Sequence, residues 1–174
     1  MGLVLPNNEV LVTPCKPFDF KNGEVDPIEL AKELVQIMRD TNGIGLAASQ
    51  IGYPFRVFSM RSDPNKVLFN PIIVNLSEEE IALEEGCLTY PGLYVTITRP
   101  RHARVRYTQP NGEVLTEQFT GMTARVVQHE MMHLEGKVFF EDLVSKTKLI
   151  MAIKKAQKNG HNYAKYDLLR YAKT

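Results

Sequence analysis

Long apolar runs are missing from this chain, and so is the cysteine that a disulfide-stapled protein needs. No hydrophobic stretch approaches the roughly 20 residues that cross a bilayer. Met1-Gly2-Leu3 does not open a charged-then-apolar signal segment. The expectation is a cytoplasmic protein without a membrane partner. The 2 cysteines, Cys15 and Cys87, allow one disulfide at most, and in a reducing compartment a thiol reads as a ligand, a nucleophile or a packed apolar group. Neither an internal repeat nor a low-complexity segment interrupts the 174 residues, enough for one domain with a real core. Histidine is scarce as well, with only 4 in the chain.

Charge is nearly balanced overall at +1 but unevenly spread. Residues 145–174 carry eight basic side chains (Lys146, Lys148, Lys154, Lys155, Lys158, Lys165, Arg170, Lys173) against the single acid Asp167, a net +7 that leaves the first 144 residues at −6. A basic tail on an acidic body raises the question of an anionic partner. A lysine-rich face that merely solvates a helix is the plainer reading.

Two of the four histidines stand in Gln128-His129-Glu130-Met131-Met132-His133. Residues four apart lie one above the other on a helix face, so both imidazoles can close on one ion with Glu130 beside it as a base for water. The preceding run Met122 to Val127 has helical spacing, which suits the motif. A catalytic metal keeps three protein ligands and one open position. The third ligand must come from elsewhere: Cys87, Glu84, Glu85 and Glu135 are candidates. For Cys87, ligation and burial as a small apolar residue are evenly matched on spacing.

Along the chain, residues 1–24 read as an extended segment punctuated by Pro6, Pro14, Pro17 and Asn22-Gly23. Asp26 caps a helix with Pro27 in its first turn, Ile28, Leu30, Ala31, Leu34, Val35, Ile37 and Met38 as its apolar face, and Asn42-Gly43 as its stop. Gly43-Ile44-Gly45-Leu46-Ala47-Ala48-Ser49-Gln50 lacks the lysine and third glycine of a phosphate loop and fits a peptide-cradling edge better. Strands are expected over Phe55–Met60, Val67–Leu76, Tyr94–Thr98, Ala103–Thr108 and Val114–Phe119, with Pro110-Asn111-Gly112 as a hairpin turn. Glu78 to Glu80 reads as a solvated turn, and Val138–Leu143 as a short strand or a turn. In the tail, Leu149, Ile150 and Ile153 recur at helical spacing among lysines. This order predicts an α+β fold, with antiparallel β-sheets wrapped around a central metal-binding helix, an N-terminal helix and a C-terminal helical tail. Residues 1–144 are then a catalytic unit, and 145–174 a basic helical extension.

Three stretches, Gly43-Ile44-Gly45-Leu46-Ala47-Ala48-Ser49-Gln50, Glu85-Gly86-Cys87-Leu88-Thr89 and Gln128-His129-Glu130-Met131-Met132-His133, resemble in order and spacing the signature motifs of the peptide deformylases. The resemblance covers roughly residues 1 to 144 and implies a metal-dependent hydrolase that removes the formyl group from the N-terminal methionine of nascent polypeptides. It implies Cys87, His129 and His133 as metal ligands, with Fe2+ as the native ion and Zn2+, Ni2+ or Co2+ able to occupy the site. Glu130 becomes the proton carrier, and the Gln50 amide and Leu88 N–H become donors to the developing oxyanion. Ile44, Gly45 and Gly86 would offer backbone groups to the substrate, and Leu83, Glu85, Met122, Val126 and His129 would line the methionine pocket. By the same resemblance the tail is a candidate for holding the enzyme at the ribosome, and deletion from about residue 147 is expected to spare short-peptide hydrolysis.

Two positions depart from the family pattern: Met132 where Asp is usual, leaving Arg99 in need of another anion, and Thr89 where Ser is usual. Tyr90-Pro91-Gly92-Leu93-Tyr94 resembles the organellar-type subgroup. Two rivals remain at this stage. A zinc endopeptidase would take its third ligand from Glu135, Glu141 or Asp142, and a purely structural metal module would bind RNA through its tail.

Overall fold

The computed structural model describes residues 2–174. Helix α1 (Pro27–Asp40) starts where expected: the Asp26 carboxylate accepts from the N–H groups of Ile28 and Glu29, two donors that a helix start leaves orphaned. Leu30, Ala31, Leu34 and Met38 are its buried face, whereas Ile28 is exposed, because it lies in the first turn outside the stripe that meets the sheet.

Five strands form one antiparallel sheet in the order β1-β2-β3-β6-β7: Gly45–Ala47, Val57–Met60, Lys66–Leu76, His102–Thr108 and Val114–Thr120. In β6, Ala103, Val105 and Tyr107 point inward while Arg104 and Arg106 face solvent. The β6–β7 turn closes with Gly112 at φ 87 and its N–H donating to Gln109 O, a conformation that favours glycine. Met38, Leu46 and Phe69 are fully buried in the cluster that α1 forms with the sheet, whereas Phe58 and Leu68, equally buried, pack in the cluster that holds Ala124, Val126 and Val127.

A second sheet pairs β4 (Glu80–Cys87) with β5 (Tyr90–Pro100). Sequence patterning gave β5 only as Tyr94–Thr98 and missed β4, because three glutamates and a glycine are weak strand formers by themselves. Pairing decides it: β4 lies along β5, whose Leu93, Val95 and Ile97 face the core. The ladder slips between Gly86, opposite Tyr94, and Cys87, opposite Tyr90, so Pro91-Gly92-Leu93 bulges from β5.

Helix α2 (Met122–Leu134) touches β1, β2, β6 and β7 of the large sheet and β5 of the small one. Val138–Leu143 resolves as a turn, with Leu143 N–H donating to Phe140 O; Phe139 and Phe140 are apolar for burial, not for pairing. Helix α3 (Lys146–Lys158) is capped by the Ser145 hydroxyl, and Leu149 and Ala156 are its buried residues; Ile150 and Ile153 are half-buried. Two short 3-10 turns follow, Ala164–Tyr166 and Leu168–Tyr171. The tail is not a separate layer: Leu149, Ala156, Tyr163 and Leu168 share one apolar cluster with Tyr90, Leu93, Phe139 and Phe140. Among the described residues no helix is long and apolar enough to cross a membrane.

Candidate active site

Helix spacing brings His129 and His133 together with ring centroids 5.3 Å apart. The end of β4 delivers Cys87, whose Sγ lies 3.3 Å from His133 Nε2. The ligand atoms of these three residues all fall within 4.8 Å of one another. Of the other candidates, Glu135 pairs with Arg56 at 2.7 Å on the surface and Glu85 is engaged by arginines, so Cys87 completes the cluster.

The donor set fits a divalent ion. Burial holds both imidazoles below their usual pKa and therefore neutral, the form that ligates. Burial, and next the Glu130 charge, pushes the Cys87 thiol up to about 12, so a thiolate forms here only against a cation. Glu130 is 4% exposed with its Oε2 buried and without a hydrogen-bond partner, an atom left free for something the protein does not supply. Burial, then the Glu85 charge, raises its carboxyl to about 8, where it can take and return a proton near neutrality. Gly45 is needed beside it: a Cβ there would sit 2.3 Å from Glu130 Oε1.

Gln50 is almost fully buried, with its Oε1 held by the Ala47 N–H at 2.8 Å. That anchor turns Nε2 toward Cys87 Sγ at 3.5 Å and Thr89 Oγ1 at 3.1 Å. A threonine hydroxyl does here what a serine would. Leu88 begins the turn into β5, and its side chain lies against Gly43, where a Cβ would come within 2.8 Å of Cδ1.

Behind His129 lies a charged network that spacing could not reveal. Glu85 Oε2 is 3.0 Å from His129 Nδ1, which fixes that ring and leaves Nε2 facing the cluster. The same carboxylate accepts from Arg99 Nε at 2.6 Å and Nη2 at 2.9 Å, and from Arg125 Nη1 at 2.6 Å. Burial by itself would raise Glu85, but the hydrogen bonds from His129 and Arg99 outweigh it and hold the carboxyl at about 2. The anion that Arg99 needed is thus Glu85. Arg99 also donates to the Met132 thioether at 3.3 Å and to Phe139 O at 2.9 Å, so the Met132 position retains a weak polar contact. Arg125 adds bonds to the carbonyls of Ile97 and Ile81, tying α2 to both strands of the small sheet.

These groups border a cleft of about 490 Å³, a volume typical of a ligand site. Ile44 and Gly45 flank it from the β1 side and Glu84 to Leu88 from the β4 side, with Met122 and Val126 from α2. Leu83 lies outside the lining. Pro91, Gly92 and Tyr94 join it, which the sequence reading did not assign. Tyr94 is 52% exposed, and its alternation in β5 with buried Leu93 and Val95 was the available signal.

The family model for polypeptide deformylases matches residues 2–149. A peptide deformylase of Pseudothermotoga lettingae is 40% identical over 140 residues, spanning 77% of this chain and 82% of the relative. One from Rhodopseudomonas palustris is 35% identical over 172 residues, 94% of this chain and 96% of its own length. Among solved structures, a Legionella pneumophila peptide deformylase superposes with TM-score 0.80 at 31% identity, covering 91% of this chain and 94% of that one. A Synechococcus elongatus peptide deformylase in complex with actinonin gives 0.83 at 30%, covering 90% and 86%.

Proposed function

The chain belongs to the polypeptide deformylase family, divalent-metal enzymes that remove the N-formyl group from nascent peptides, and we propose that Cys87, His129 and His133 hold its metal while Glu130, Gln50 and Leu88 carry the chemistry. The observation behind this assignment is the convergence of one thiol and two neutral imidazoles beside a buried carboxyl whose Oε2 has no hydrogen-bond partner, on the floor of a cleft.

When bound, the metal polarises the formyl carbonyl and acidifies water. Glu130 takes a proton from the attacking water as its oxygen bonds to the formyl carbon. Negative charge then grows on the carbonyl oxygen, where the Gln50 amide and the Leu88 N–H donate. The C–N bond breaks, Glu130 returns the proton to the leaving nitrogen, and formate and a free α-amine result. Taking one proton from water and returning it to the leaving nitrogen leaves Glu130 as it began.

The extended substrate lies between the edges of β1 and β4, meeting backbone groups of Ile44, Gly45 and Gly86 as an added strand does. Met122, Val126, Glu85 and His129 form the surroundings of the methionine side chain, with unbranched Met122 adapting to a thioether, while Leu83 stays outside them. Hydrolysis of formyl-Met-Ala-Ser, measured before and after chelation and restored by added metal, tests the assignment. Turnover untouched by complete metal removal overturns it.

Ferrous iron is the native ion in this reading on the family resemblance, and a thiolate with two imidazoles also suits zinc, nickel and cobalt. Activity of the iron form then decays in air through metal and Cys87 oxidation, and nickel replacement slows the decay. Equal air stability of the two forms counts against iron.

The protein works in the cytoplasm, where formylated chains emerge, with residues 1–144 as the catalytic part and 145–174 as a basic extension. Exposed Lys154, Lys155 and Lys158 on α3 supply a surface for ribosomal RNA through counterion release. Because α3 shares its core with Tyr90 and Phe139, charge reversal of these lysines is a cleaner test than truncation. The intact protein is expected to cosediment with ribosomes at low salt, and the triple Lys→Glu variant to stay in the supernatant. An intact protein that also stays in the supernatant leaves the tail a solvated face.

A further inference from the structure

Part of the cleft wall is built from residues that have left the sheet ladder. Pro91-Gly92-Leu93 bulges between the pairs Gly86–Tyr94 and Cys87–Tyr90, and Gly92 has φ 76. Where the ladder slips, the Pro91 carbonyl needs a donor from outside β4, and the C-terminal segment provides one. Tyr163 Oη donates to Pro91 O, and the His161 ring packs directly on Gly92, where a Cβ would lie 2.2 Å from His161 Cδ2. The turn carrying these side chains is itself pinned to the end of α3, with His161 N–H donating to Ala156 O at 3.0 Å.

From there an aromatic chain runs to the metal cluster. Tyr163 and Tyr90 have ring centroids 6.2 Å apart, Tyr90 and Phe139 6.3 Å, and Phe139 stacks on His129 at 5.1 Å. Pro91, Gly92 and Tyr94 line the cleft on their other side. Tyr94 lies over Gly86, where an added Cβ would be 2.6 Å from Cε1, one residue along the strand from Cys87.

Resting on the deformylase assignment above, we infer that His161 and Tyr163 are positioning residues for this wall and set how tightly the peptide beyond its formyl-methionine is held. A substrate whose formyl group is at Cys87 and His129, and which runs along β4 past Gly86, meets Tyr94 and the bulge next. The methionine and formyl group are gripped by α2, Gln50 and Leu88, whereas α3 packs chiefly on β5. Loosening the bulge therefore weakens the hold on later residues and leaves the reacting groups in place. The tail becomes part of the substrate-binding architecture while contributing no atom to the cleft lining. Such a role runs against the expectation that deletion from about residue 147 spares short-peptide hydrolysis.

The test compares His161→Ala and Tyr163→Phe with the wild type on two substrates, formyl-Met-Ala-Ser and formyl-methionine amide. His161 is half-buried on a turn, and Tyr163→Phe removes only the hydroxyl, so both variants keep the fold. Each is expected to raise KM for the tripeptide about 3- to 10-fold, the worth of one lost neutral contact. KM for the amide, kcat and metal content should stay at wild-type values. An unchanged tripeptide KM in both variants overturns the inference, as does an equal rise for the two substrates. A fall in kcat with loss of metal also overturns it, since the tail would then act through the metal cluster alone. A wild type that hydrolyses neither substrate removes the deformylase assignment and this inference together, whereas an active wild type with unaffected variants removes only the second.

Discussion

Glu130→Gln is expected to remove most turnover and leave the metal bound, whereas Cys87→Ala is expected to remove both. The two residues face the same cleft but differ in what they supply. In the proposed mechanism Glu130 contributes a proton-carrying oxygen: its Oε2 is buried without a partner, and its carboxyl is pushed up to about 8 by burial and the Glu85 charge. Glutamine has the same shape, so the close fit of Oε1 against Gly45 survives, but an amide cannot shuttle a proton. The expected loss in kcat is about 10²- to 10⁴-fold, the usual contribution of a positioned acid–base group. In the proposed site Cys87 supplies one of three ligand atoms, and an alanine leaves two imidazoles with no anionic donor. Metal analysis of both purified variants beside a formyl-peptide assay separates the roles. A Glu130→Gln enzyme that deformylates near the wild-type rate would show that the proton passes elsewhere.

Glu85→Ala should be the most destabilising single change in the site, and it should also weaken metal binding. Glu85 and Arg99 side chains are 5% and 6% exposed, and Arg125 is 4%, so truncation strands two guanidiniums away from water. Breaking a buried pair in this way costs about 3–5 kcal/mol. The His129 ring loses the partner at Nδ1 that fixes its orientation, and loss of such a contact typically lowers metal affinity about 10- to 100-fold. Thermal unfolding of the metal-free protein reads the first effect and competition with a chelator reads the second. An unchanged Tm together with unchanged affinity would refute the role of this network. The pH dependence has a definite sign. The Glu85 carboxyl is lowered from 4.5 to about 2 in the folded protein, so its stabilisation is complete above about pH 4.5 and is lost as pH falls toward 2. In Glu85→Gln the acid limb of the Tm–pH curve should flatten across that window.

Local periodicity was readable without a structure. The cap at Asp26, the alternation of Ala103, Val105 and Tyr107, the hairpin at Gly112 and the pair His129 and His133 each depend on neighbours within a few residues, and backbone geometry repeats at that scale. The α+β class and the antiparallel pairing followed from the order of such segments. With no tertiary information, Cys87 stood even between ligand and packed thiol until three ordered motifs were compared with a family. Tertiary structure decided what depended on residues distant in sequence meeting in space. β4 is a strand because β5 lies beside it, although its glutamates argue otherwise. Glu85 reads as a pocket residue by position, yet its carboxylate is spent on Arg99, Arg125 and His129, three partners contributed by β5 and α2. The basic tail reads as a solvated helix, yet Tyr163 and His161 reach the bulge at Pro91 and Gly92. A buried charge must find its counter-charge and a bulged carbonyl its donor wherever the fold brings them, and no spacing in the chain encodes that distance.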